Sequence, residues 1–308
     1  MNAEELASWL QHHLPAERVT HILNWGGFVN HSFTIRDGNA RYHLKLTPAH
    51  DSGRLRRWHD LGSLLSERYR APRVLRWMEF PEVQLAGLLL EHLDATPANI
   101  TCNPPLLREV IELIEVLHRD AELLSHLHAT AGKTCLDHFV DTYIERFTID
   151  LEGIGAAGLP FITSSLFDWM RSETLALREF AESMPEFRQP AASPVPSDVN
   201  ETNLLITPSG WHIIDWDDLT CGDPAIDFAV LLWPVVWEGG DWRKFVAPDE
   251  AIRQRLEVCF RAQLLDEVID PLSDYIDAHA APSRMEEVRR VKRRRHEEAL
   301  ARYRAANS

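Results

Sequence analysis

The sequence is poor in several features that would each define a function class. Its four cysteines, Cys102, Cys135, Cys221 and Cys259, are isolated, with no CxxC pair and no histidine at metal-ligand spacing. Reduced thiols follow, and neither a disulfide framework nor a zinc module organises the chain. The longest uncharged apolar run, Phe228 to Trp237, is ten residues long and broken by Pro234, far short of the roughly 20 residues that span a bilayer. The stretch MNAEELASWL is acidic from its first turn, unlike a secretory leader, so a cytoplasmic location is expected. Of the 32 lysines and arginines only four are lysine, at positions 45, 133, 244 and 292. Positive charge is also the minority sign: 32 basic against 47 acidic residues leave a net charge of −15. That balance argues against general affinity for nucleic acid and is compatible with a cationic small substrate. The one basic run, RRVKRRR at 289 to 295, sits between acidic flanks in a helical pattern and reads as a solvated helix face.

What is present is enough apolar material, 45% of 308 residues, for a large core. An amphipathic helix near residues 3 to 13 precedes three stretches with strand character: RVTHILNW running into Gly26-Gly27, then HSFTIRD, then ARYHLKL after an Asp37-Gly38-Asn39 turn. A helix is expected over 53 to 69, stopped by Pro72, with two more apolar stretches, RVLRWM and VQLAGLLLE, behind it. From Leu106 the apolar period changes to that of a helix, and helical patterning covers 135 to 150, 163 to 185, 225 to 233, 248 to 265 and 282 to 304. The expected class is α+β: a small antiparallel-sheet lobe with one inserted helix over residues 1 to 91, and a larger, mainly helical lobe over 92 to 308.

Four places carry residues suited to phosphoryl transfer, which needs held phosphates, neutralised charge and an oriented hydroxyl more than covalent help. Gly26 and Gly27 stand at a strand-to-strand turn where backbone N–H groups can approach phosphate oxygens without Cβ interference; paired glycines also suit an ordinary turn. Lys45 alternates out of its strand between Leu44 and Leu46 and is the only lysine before residue 133, where the chain otherwise chooses arginine. A compact ammonium there suits a phosphate site; the competing reading is an edge lysine snorkelling to water. Asp198 and Asn203 are five apart, a spacing that lets a carboxylate face an incoming hydroxyl while an amide oxygen turns to Mg²⁺; NETN also fits an Asx-rich turn. In IIDWDD, Asp215 ends a buried strand and is the metal candidate, with Asp217 and Asp218 read as loop acids in solvent.

Taken together, GGFVN, YHLK, PRVL, LLLEHL, SDVNETNLL and IIDWDDLTCGDPAIDFA resemble the aminoglycoside phosphotransferase and choline kinase-like superfamily, relatives of the protein kinases, across roughly residues 20 to 240. The IDW segment followed by GDPxxDxA is the most specific of these. The resemblance implies a two-lobed protein-kinase-like fold and a Mg²⁺-dependent O-phosphotransferase that uses ATP or GTP and acts on a hydroxyl of a small substrate. It implies that Gly26, Gly27 and Asn30 belong to the nucleotide loop and that Lys45 contacts the α- and β-phosphates. It further implies that Glu91 to Leu93 face the base through backbone groups, that Asp198 is the catalytic base, and that Asn203 and Asp215 hold Mg²⁺. Asp227 would brace the catalytic loop, and Asp60 stands near the place of the lysine's acidic partner.

Two features depart from that pattern. LHRD at 117 to 120 spells a protein-kinase catalytic motif, but Ser125 stands where an asparagine is required, so His118 is read as a helix-end histidine. Before Asp198 the chain has Pro196-Ser197 in place of His-Gly, a change in support of the loop and not in the groups that would touch phosphate or metal. The rival reading is a nucleotide-binding pseudokinase or regulatory module. Trp233, Trp237, Glu238, Asp241 and Trp242 suit either a cationic substrate or the helical core. Acceptors from aminoglycosides to choline-like amino alcohols fit; no membrane or nucleic-acid partner is expected, and the oligomeric state is not legible.

Overall fold

The computed structural model describes residues 2–22, 30–127, 133–280 and 282–306. These fall into two compact units, one comprising Met1–Ala98, Glu201–Leu219 and Asp277–Met285, the other Asn99–Asn200, Thr220–Ile276 and Glu286–Ser308. The units are discontinuous in sequence, a later hairpin grouping with the N-terminal sheet unit.

In the first unit, helix α1 (Ala3–His13) begins at a capping box: the Asn2 side chain accepts from the Glu4 and Glu5 N–H groups while the Glu5 carboxylate accepts from the Asn2 N–H. Strands β1 (Arg18–Ile22), β2 (His31–Asp37) and β3 (Ala40–Pro48) form the expected meander, with Gly38 at φ +57° supplying the left-handed turn residue. Helix α2 (Gly53–Arg68) follows, then β4 (Val74–Phe80) and β5 (Leu85–Glu91), giving an antiparallel sheet in the order β1-β2-β3-β5-β4. Strand alternation divides the side chains. Leu44 and Leu46 turn to a core shared with Leu6 and Leu10 of α1, Phe33, Ile35, Phe80 and Leu85. Lys45 therefore points to the opposite face, the one covered by α2, which packs on β4 and β5 through Leu55, Trp58, Leu61 and Leu65. Gly87 lets β5 approach β3 here, since a Cβ would stand 1.9 Å from the Lys45 carbonyl oxygen.

The same unit holds a small second sheet, β6 (Thr96–Pro97), β8 (Leu204–Thr207) and β9 (Gly210–Ile213). β8 and β9 form a hairpin with Leu204 opposite Ile213, and the Ile213 N–H donates to the Arg70 carbonyl.

The second unit is mainly helical: α3 (Pro104–Leu117), α4 (Ala121–His126), α5 (Cys135–Phe139) continuing through a π turn into α6 (Glu145–Ala157), α7 (Ser164–Ser183), α8 (Pro224–Trp237), α9 (Glu250–Asp277) and α10 (Met285–Ala306). Its short strands β7 (Ser193–Val195) and β10 (Thr220–Gly222) pair antiparallel. Among the described residues no helix is long and apolar enough to cross a membrane. The basic run of α10 is less solvated than its composition suggests. Lys292 pairs with Asp274, and Arg295 pairs with Glu267 while its guanidinium lies 4.0 Å from the Trp237 ring. Arg302 stacks on the same indole at 3.7 Å. Trp233 and Trp242 are buried, so of the two readings for these tryptophans the helical core accounts for them, and the Trp237 faces are taken by the chain's own arginines.

Candidate active site

The β8–β9 hairpin explains why Asn203 and Asp215, twelve residues apart, end up together. Asn203 immediately precedes β8 and Asp215 follows β9 by one residue, and the Ile214 N–H donates to the Asn203 carbonyl at 2.9 Å. Asn203 is buried. Beyond the hairpin Trp216 is fixed, 1% exposed, with its indole N–H donating to the Ile213 carbonyl at 2.7 Å. Holding Trp216 inside requires Asp215 to turn at φ +61°, a left-handed conformation that aspartate tolerates better than most residues.

That turn delivers the Asp215 carboxylate to Lys45. The ammonium donates at 2.7 Å to Asp215 and at 2.7 Å to Asp217. Lys45 is 4% exposed; burial alone would lower its pKa, but the two carboxylates outweigh burial and raise it above the ordinary lysine value, so the group stays charged. Asp217, expected in solvent, is instead 9% exposed, and its second oxygen accepts from the Asn30 side-chain amide at 3.0 Å. Pairing with a buried ammonium is what makes burial of this acid tolerable. Asp218 is half-buried. Burial and then neighbouring Asp217 raise its carboxyl above the usual range, opposed by its ion pair with Arg54.

Gly26 and Gly27 lie outside the described residues. Asp60 does not take the position of lysine partner: its carboxylate is exposed on α2 and pairs with Arg56 and His59. The physical reason is helical period. Asp60 is two residues, about 200°, from the buried Trp58 that marks the sheet-facing side. Glu91 closes β5 with its carboxylate accepting from the Arg73 backbone N–H and guanidinium, both at 2.8 Å; its backbone N–H donates to the Arg73 carbonyl. Leu93 follows it, half-buried.

The donors expected for Mg²⁺, a carboxylate and an amide oxygen, are hard ligands held on one hairpin, and two carboxylates around one ammonium leave local charge for a cation to balance. They fit the ion. Among the described residues no group of three or more His, Cys, Asp or Glu forms a closed metal cage, and an ion shared with substrate phosphates does not need one.

In the second unit, Asp198 follows β7 by two residues, half-buried, its Oδ1 accepting from the Asn200 side-chain amide at 2.7 Å. Its support comes from the GDPAID segment, residue by residue. Gly222 ends β10 where a Cβ would lie 2.3 Å from His138. Asp223 caps α8 and forms a fully buried two-point ion pair with Arg255, at 2.7 and 3.0 Å. Pro224 takes the first helical turn, where its missing N–H costs nothing. Asp227, 0% exposed, accepts from the Ser197 backbone N–H at 2.7 Å and pairs with His118 at 2.8 Å. Asp227 thus braces the loop as the resemblance implies, and His118 is the second half of that brace. Asp120 of the LHRD string is the N-cap of α4, its side chain accepting from the Glu122 and Leu123 N–H groups.

The Pro196-Ser197 departure acquires a physical meaning here. Ser197 sits at φ +68°, where a glycine is at ease and a serine is strained by about 1–2 kcal/mol. The contact to Asp227 survives because a backbone N–H makes it. Ser197→Gly should therefore raise unfolding free energy by about 0.5–1 kcal/mol, read as a higher urea midpoint; a lower midpoint would show that serine is locally preferred.

A two-unit molecule of this kind, with a lysine on a five-stranded antiparallel sheet paired to the acid after a hairpin, has a protein-kinase-like fold. The model of the phosphotransferase enzyme family matches residues 20–254, and the chain belongs to that family. Solved structures with the same fold include the aminoglycoside phosphotransferase APH(4)-Ia in ternary complex with AMP-PNP and hygromycin B, 18% identical with a TM-score of 0.60, covering 93% of this chain and 98% of that one. Choline kinase from Cryptosporidium parvum Iowa II is 14% identical with a TM-score of 0.57, over 99% and 96% of the two chains. Spectinomycin phosphotransferase APH(9)-Ia, in complex with ADP and spectinomycin, is 14% identical with a TM-score of 0.57, over 96% and 93%. No curated protein sequence matches the chain.

Proposed function

We propose that the chain is a Mg²⁺-dependent small-molecule kinase that transfers the γ-phosphoryl group of ATP or GTP to a hydroxyl of a small, amine-bearing or otherwise polar acceptor. The observation that carries this reading is the buried Lys45 ammonium held at 2.7 Å from Asp215, a phosphate-type cation beside a metal-type acid. Family membership and the AMP-PNP and ADP bound by two structural neighbours support a nucleoside triphosphate as donor. In this reading Lys45 holds the α- and β-phosphates, and Asn30 keeps Asp217 in place on the lysine. Glu91, His92 and Leu93 meet the base through their backbone. Asn203 and Asp215 hold Mg²⁺, which when bound offsets the charge of the transferring group. Asp198 takes the proton of the acceptor hydroxyl as its oxygen bonds to the γ-phosphorus and the nucleoside diphosphate leaves. Hygromycin B, spectinomycin and choline-like amino alcohols mark the range of acceptors to screen.

The test is thermal stabilisation by ATP with and without Mg²⁺, followed by ATP consumption across a panel of hydroxylated amines. Stabilisation with turnover on one class supports the proposal; stabilisation without turnover on a broad panel favours a nucleotide-binding regulatory module; neither refutes both. Within the same assay, Asp215→Ala should abolish the gain in nucleotide affinity that Mg²⁺ gives the wild type, measured by calorimetry. An undiminished Mg²⁺ effect would remove Asp215 from the metal site.

A further inference from the structure

The face that α2 turns toward Lys45 and the 215–219 segment carries no acid. Arg54 pairs with Asp218, and the Arg57 guanidinium donates to the Leu219 carbonyl at 2.6 Å. Trp58 follows on the same face, 1% exposed, with the Lys45 ammonium 5.7 Å from its ring centroid. The acids of α2 point elsewhere: Asp60 is on the surface, and Glu67, nine residues from Trp58, is likewise about 180° away and exposed.

We propose that Trp58 is the positioning residue for Lys45, its ring face steadying the ammonium against Asp215 and Asp217, and that no carboxylate of α2 takes part. The inference rests on the reading of Lys45 as the phosphate-binding lysine. Its physics is the attraction of a desolvated ammonium to an indole face within about 6 Å. A second observation separates the ring from the rest of the side chain. The Trp58 indole N–H is buried without a hydrogen-bond partner among the described residues, so phenylalanine at 58 would keep an aromatic face and forfeit no hydrogen bond seen there.

With only four lysines in the chain, selective lysine labelling gives a sparse NMR spectrum in which the Lys45 side chain is assignable by Lys45→Arg. In the wild-type protein the Lys45 methylene protons should show an upfield ring-current shift and a contact with the indole ring. Trp58→Phe should retain the shift and bind nucleotide within about threefold of wild type, whereas Trp58→Leu should lose the shift and bind about 5- to 30-fold more weakly. Asp60→Ala should change neither. The proposal is overturned if the wild-type protons show no such shift, if folded Trp58→Leu binds nucleotide as tightly as wild type, or if Asp60→Ala weakens binding as much as Trp58→Leu does. Should Trp58→Leu fail to fold, the wild-type shift and the Trp58→Phe affinity still decide: a Trp58→Phe loss as large as that expected of leucine would overturn the role of the ring. A wild type that shows the ring-current shift yet binds no nucleotide would overturn the functional reading, and with it the role of the contact in that function.

Discussion

Replacing Asp198 with alanine should lower turnover by about 10²- to 10⁴-fold, the loss that accompanies removal of a positioned general base, while leaving nucleotide affinity nearly unchanged. The separation of the two effects is the informative part. Asp198 contacts Asn200 in its own loop and is held in place through backbone, since Ser197 donates to Asp227 and the Asp227–His118 pair lies behind it. Alanine removes the bond from Asn200 but leaves the Ser197–Asp227–His118 contacts in place, so the unfolding free energy should fall by only about 0.5–1.5 kcal/mol, the loss of one hydrogen bond. Initial rates and nucleotide titrations on the same preparation check it. An unchanged rate would remove Asp198 from its role, and a large drop in nucleotide affinity would place it among the binding groups.

Asp223→Ala should cost about 3–5 kcal/mol of stability, because it strands the Arg255 guanidinium in the interior without its carboxylate. Arg255 is 3% exposed and makes two hydrogen bonds to Asp223; its remaining contacts are to the Glu186 carbonyl and the Gln189 side chain. Loss of the α8 N-cap adds about 1 kcal/mol. Against a total of about 5–15 kcal/mol for a folded domain, the helical unit should be largely unfolded or melt many degrees lower. Asp223→Leu combined with Arg255→Met should recover much of the loss, since a buried pair replaced by apolar side chains of similar size is near neutral. Denaturant melts of the single and double variants decide. A single variant within 1 kcal/mol of wild type would mean that Arg255 finds another partner.

Much of this arrangement was legible in the chain. The meander over β1 to β3, the helix at 53 to 68 and the strand that leads to Asp215 each follow from period and turn chemistry, signals that act within a few residues. Lys45 stood out because lysine is scarce and this one interrupts an apolar strand. GDPAID was recognisable as a motif, though its reasons, a glycine against His138, a cap that is also an ion pair, and a brace one turn later, appear only in contacts with residues 30 to 109 positions away. Asp60 stands near the place expected of the lysine's partner and Asp217 reads as a loop acid in solvent; the helical period of α2 turns Asp60 outward, whereas Asp217 reaches the lysine only through a contact between residues 172 positions apart.

The amino-acid sequence by itself determined the inventory: a strand lysine, two oxygen donors at 203 and 215, an acid five residues before the first of them, and the periodicities that make a sheet unit and a helical unit. These depend on neighbours along the chain, whose spacing is fixed by covalent geometry. Tertiary structure decided the partners. It put Asp217 in the interior against Lys45, turned Asp60 to the surface, placed the Trp58 ring beside the ammonium and joined His118 to Asp227 across 109 residues. A charge is buried or solvated according to what the fold brings within a few ångströms of it, and that distance is set by packing between elements far apart in the chain.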